Sequence, residues 1–94
     1  MILLNDYHVK ATGKKKVKII VKKTSEKING YEVILSTKKN FKKAKKVTTK
    51  KNAVTVKKLK AGKKYFVKVR AFKKVGNKKI YGKYSTVKKV IVKK

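Results

Sequence analysis

Few side chains in this sequence can carry a proton, a metal or a nucleophilic step, and they are scattered. His8 is the only histidine, cysteine is absent, and the carboxylates are Asp6, Glu26 and Glu32. Nucleophilic and acid–base catalysis both need an activated group with a second group within hydrogen-bond reach. His8 has no such partner in the pattern and reads as an ordinary surface or edge residue. Glu32 falls on the polar face of a strand, Glu26 in a loop and Asp6 near the terminus, so all three read as charge relief for nearby lysines. Opposite basic neighbours across a sheet, Glu32 would add roughly a few tenths of a kcal/mol. Neither a metal-ligand spacing nor a glycine-rich phosphate loop occurs. The sequence predicts no catalytic, metal-binding or cofactor-binding residue, and a protein that is not an enzyme.

Positive charge is what the chain has in excess. Lysine and arginine number 32 against 3 acids, for a formal charge of +29, and Arg70 is the only arginine. Self-repulsion on this scale favours disorder unless apolar burial offsets chain entropy. The 40% hydrophobic content is patterned rather than scattered, which predicts a folded, salt-sensitive domain. Ninety-four residues fit one small core, because two would each fall near the size that needs disulfides or metals; residues 1–94 are read as a single domain. Without cysteine there is no disulfide framework and no thiolate metal site. No apolar run approaches a membrane span. In MILLNDYHVK the aliphatic run is too short and too soon followed by Asp6 to read as a signal-peptide core.

The elements that must display this charge follow from alternation. Val17, Ile19 and Val21 occupy every second position, as do Tyr31, Val33 and Leu35, then Val54 and Val56, then Tyr65, Val67, Val69 and Ala71, then Val90 and Val92. Period two marks strands with one buried face. A short strand near Val47 and an opening strand through Tyr7, Val9 and Ala11 bring the count to about seven. β-Branched residues dominate these runs and disfavour helix; NFKKAKK, around Phe41, is read as loop. The expected core is these inward residues, Val54 and Val90 included, together with Leu59. The expected fold is an all-β, immunoglobulin-like two-sheet sandwich of antiparallel strands.

Between two of the strands, LKAGKKYFVKV places Leu59, Gly62 and Tyr65 three residues apart. A tyrosine at such a crossover can bury its ring and return its hydroxyl to an upstream backbone group. At this point the chain resembles a fibronectin type III domain in the lysine-rich form of bacterial cell-surface and secreted proteins. The matching text is NGYEVILSTKKNFKKAKKV at 29–47, LKAGKKYFVKVRAF at 59–72 and YGKYSTVKKVIV at 81–92. The chain departs from the family at Val21, where a buried tryptophan is usual, and in MILLNDYH, which lacks the proline-rich beginning. These departures leave open an incomplete first strand or a chain cut from a longer gene product. Integrin-binding relatives carry Arg-Gly-Asp between the last two strands; here KKVGNKKIYGK at 73–83 has neither Arg nor Asp, and Gly76–Asn77 suits a tight turn. An internal isopeptide bond, known in some bacterial surface domains, would need a buried acid that the pattern does not supply.

The resemblance implies an extracellular or cell-surface, monomeric module beside neighbouring domains, working as a spacer or as a binding element. On the binding reading, the lysines hold anionic cell-wall polymer, polysaccharide or phospholipid headgroups. The outward aromatics Phe66, Phe72, Tyr81 and Tyr84, with Arg70, are candidate surface-contact residues. Specific nucleic-acid recognition is not expected, since it favours arginine forks and a groove-shaped helix or ribbon. Non-specific nucleic-acid binding by a basic protein is the alternative.

Overall fold

A computed structural model describes residues 7–22 and 28–93. Asp6 and Glu26 lie outside the described residues. Among the described residues eight strands follow one another: β1 (Tyr7–Gly13), β2 (Lys16–Val21), β3 (Gly30–Ser36), β4 (Lys45–Thr49), β5 (Ala53–Val56), β6 (Lys64–Val75), β7 (Lys78–Tyr81) and β8 (Lys88–Ile91). They form two antiparallel sheets. One has the order β1-β2-β5; the other has β4-β3-β6, with β7 and β8 both on the far edge of β6. The long axis of the molecule measures 41 Å, close to what the twelve residues of β6 span at about 3.3 Å each.

The all-β sandwich is the fold the alternation predicts. The eighth strand, beyond the seven expected, is β7, whose four residues are all exposed and so show no alternation; it pairs with the end of β6 next to the turn. Between the Phe72–Tyr81 and Val67–Lys88 pairs, the outer segment carries two more residues than β6 does. Ser85 manages the excess. Its N–H donates to the Val69 carbonyl at 2.7 Å, and its Oγ accepts the Val69 N–H at 3.0 Å. A side chain thus takes a carbonyl's place in the ladder, and pairing resumes at Lys88.

Val17, Ile19, Val21, Tyr31, Val33, Leu35, Val56, Leu59, Tyr65, Val67, Val69, Ala71 and Val92 are buried between the sheets. Val54 and Val90, expected within this core, are only partly buried at its margin. Tyr7 joins it with no exposed surface. It pairs with Val21 and lies on the same face, so it supplies bulk beside the position where the family usually has tryptophan. Its hydroxyl lies 2.9 Å from the Val67 carbonyl and 2.6 Å from that of Thr86. With a single proton to donate, it bridges the first sheet to β6 and to the irregular segment leading into β8.

Candidate functional site

Odd-numbered residues of β6 point into the core, so Phe66, Lys68, Arg70 and Phe72 point out. Beside them on β3 stand Ser36, Ile34, Glu32 and Gly30, each directly opposite its β6 partner. This outer face is far less open than strand alternation predicts: all seven residues of β3 are buried.

Phe72, expected as an exposed contact residue, is only 3% exposed. Its ring folds over Gly30, where an added Cβ would sit 2.9 Å from Phe72 Cζ and 2.5 Å from the Thr49 carbonyl oxygen. The missing side chain on one strand makes room for the ring of the next. Glu32 is likewise enclosed rather than solvated. Arg70 Nε and Nη2 both reach its Oε1 at 2.8 Å, and a half-sheltered pair of this kind is a charge-assisted contact stronger than an open surface bridge.

Cations and rings then alternate along the face. Lys79 Nζ lies 4.7 Å from the Phe72 ring centre, and Phe72 meets Tyr81 at 6.0 Å with a tilt of 57°. The Arg70 guanidinium covers Tyr81 at 3.6 Å and approaches Tyr84 at 4.6 Å. Lys68 Nζ sits 4.1 Å from Tyr84 and 4.3 Å from Phe41. Each contact contributes about 0.5–1 kcal/mol where solvent reaches it and up to about 2 kcal/mol where it does not. Burial pushes the Tyr84 hydroxyl above the ordinary tyrosine range, while Arg70 pulls in the opposite direction. Phe66 lies at the far end of the face, with Lys89 Nζ 6.0 Å from its ring. The aromatic rings expected to meet a partner are thus largely engaged by the protein's own cations, although Tyr81 and Tyr84 keep more than a third of their surface open.

At the pole where β5 passes to β6, the Tyr65 ring is buried and its hydroxyl accepts the Lys60 N–H at 2.9 Å. Gly62 takes a φ of +72°, a conformation that side chains rarely adopt. Its N–H donates to the Val92 carbonyl at 2.8 Å, and Val92 N–H returns to Lys63 at 3.0 Å. Leu59, buried, is held from the other sheet by its N–H on the Lys15 carbonyl at 3.1 Å. Leu59, Gly62 and Tyr65 therefore meet at one crossover between the sheets.

His8 is exposed on β1, and no group of three His, Cys, Asp or Glu side chains occurs among the described residues. No helix there is long and apolar enough to cross a membrane. The contacts of Tyr7 and Phe41 are not visible in their own neighbourhoods, since their partners lie far along the chain. For Tyr7 the signal was its place in phase with Val9 and Ala11.

A two-sheet sandwich with a tyrosine corner at the β5–β6 crossover defines a module of the immunoglobulin-like class. The family model for the fibronectin type III domain matches residues 6–88, and the chain belongs to that family. It is similar to the crystal structure of the chicken CNTN1 FN1–FN3 domains, at 21% identity and a TM-score of 0.82 over 97% of this chain. It spans 32% of that longer chain. The solution structure of the fn3 domain of human contactin 1 is also similar, at 18% identity and a TM-score of 0.83, covering 97% of this chain and 76% of the other. No curated protein sequence matches the chain. Fibronectin type III domains are in general non-catalytic modules.

Proposed function

We propose that the chain is a spacer or binding module of a bacterial extracellular, cell-wall-associated protein, and that its lysine surface adheres to anionic wall polymer or polysaccharide. One observation carries the adhesive part. Glu32 is the only carboxylate side chain among the described residues, and it is already taken by Arg70, so the exposed lysines have no acidic side chain there to neutralise them. A field of this kind draws polyanions to the surface. Membership of a modular family, and the small share of the three-domain chicken structure that one such unit spans, support a monomeric unit working beside neighbouring domains. The bacterial, cell-surface setting rests on the lysine-rich resemblance.

Nucleic-acid binding that adds base stacking to phosphate attraction has less support. Base stacking needs free ring faces, whereas Phe72 is buried and Tyr81 and Tyr84 are covered by Arg70 and Lys68. Retention on purified cell walls and on duplex DNA, measured as salt rises, tests the choice. The adhesive reading expects selective retention on wall material near physiological salt. Equal release from both leaves the spacer role alone, and stronger retention on DNA reverses the preference.

A further inference from the structure

Six lysines converge on one cavity at the pole that carries the Tyr65 corner. The cavity, about 320 Å³ in volume, is walled by Lys38, Lys42, Lys43, Lys45, Lys58 and Lys60 and has Leu35, Leu59 and Tyr65 in its lining. The first three lysines belong to the β3–β4 connection, Lys45 opens β4, and the last two lie between β5 and β6. A neighbouring cavity of about 390 Å³ shares Thr37, Lys38 and Lys60 and adds Lys63 and Lys64. No carboxylate lines either. Among the six, Lys45 directs its ammonium to the Lys57 carbonyl at 2.7 Å.

Both loops are shaped rather than slack. Ser36 Oγ donates to the Lys42 carbonyl at 2.7 Å and accepts the Lys38 N–H at 3.1 Å, while Tyr65 fixes Lys60. Lys43 and Lys58 hold φ values of +51° and +60°, uncommon for any residue with a side chain. The chain thus gathers like charges around an apolar floor, a concave cluster of one sign that attracts an incoming anion.

We propose that this double cavity is a binding site for a chain of linked phosphates, condensed or ester-linked. Lysine binds phosphate as a compact point charge on a mobile stem and needs no planar match, so successive phosphates along a flexible chain can each meet an ammonium. Two cavities joined through Lys38 and Lys60 fit an elongated anion better than a single ion. The proposal deepens the polyanion reading above and rests on it, adding a place and a chemical class.

The test uses inorganic tripolyphosphate and poly(glycerol phosphate) as probes, with citrate as a non-phosphate anion, titrated calorimetrically into the full chain near physiological salt. Two charge-matched variants are compared with the parent: Lys38, Lys43, Lys58 and Lys60 all changed to Gln, and Lys10, Lys51, Lys74 and Lys78 all changed to Gln. The first set is expected to weaken binding of both phosphate probes by roughly tenfold or more, the second by less than about twofold, since only contacted lysines release counterions on binding. Binding of tripolyphosphate alone assigns the site to condensed phosphate; binding of the polymer alone assigns it to phosphodiester. Equal weakening by both sets, or citrate binding as tightly as tripolyphosphate, overturns the site while leaving general adhesion to walls intact. Loss of wall retention with site binding preserved overturns the general reading instead. Circular dichroism of each variant establishes that it is folded.

Discussion

Arg70 and Glu32 stand directly opposite one another on β6 and β3, and two guanidinium nitrogens converge on a single carboxylate oxygen at 2.8 Å. This contact anchors the cation–aromatic face, because the same guanidinium lies over Tyr81 and Tyr84. Arg70→Ala strands an enclosed carboxylate, and should destabilise by about 2–4 kcal/mol. Arg70→Lys keeps the charge but loses the planar stack, and should cost less. A double-mutant cycle with Glu32→Ala, followed by urea denaturation, should give a coupling energy of about 1–3 kcal/mol; additive losses would show that the two residues do not act together.

Removing the hydroxyl in Tyr65→Phe leaves the Lys60 N–H without its acceptor and should cost about 1 kcal/mol. Leu59→Ala, which empties a buried leucine site in the same crossover, should cost about 2–5 kcal/mol. Thermal melts of both variants check this, and a Tyr65→Phe melt indistinguishable from the parent would remove the corner's structural role.

At Gly30 an added methyl would meet Thr49 backbone at 2.5 Å and the Phe72 ring at 2.9 Å. The ring can yield, but the backbone of a paired strand cannot do so cheaply. Gly30→Ala should therefore destabilise by about 1–3 kcal/mol, read from the denaturant midpoint. Its amide spectrum should shift around Thr49 and Phe72 first.

Tyr7 ties the first sheet to the second through one proton shared between the neighbourhoods of Val67 and Thr86. Tyr7→Phe should cost about 1 kcal/mol and speed hydrogen exchange of the Val69 and Ser85 amides, which flank the irregular pairing. Unchanged exchange there would mean the hydroxyl is not what holds that segment.

The strands were legible because each shows its buried face every second residue, and Leu59, Gly62 and Tyr65 were legible because a corner is local. What escaped depended on distant pairing. Phe72 reads as exposed by alternation alone; its burial needs Gly30 opposite, a relation only register supplies. Glu32 and Arg70 are 38 residues apart, so their enclosure is not visible in either neighbourhood. Strand β7 escaped because none of its residues is buried, and the serine hydroxyl that replaces a carbonyl in the ladder between β7 and β8 is encoded by no periodicity. Lysine's abundance was plain from the start, yet the convergence of six on one cavity required two loops to meet.

The most direct test is the melting temperature of the isolated chain as a function of sodium chloride. If the lysines are as uncompensated as the single Glu32–Arg70 pair among the described residues implies, lowering the screening length from about 30 Å at 10 mM to about 8 Å at 150 mM should raise the melting temperature steeply. A melting temperature that stays flat or falls over that range would mean the charge is balanced within the fold, and would contradict the account.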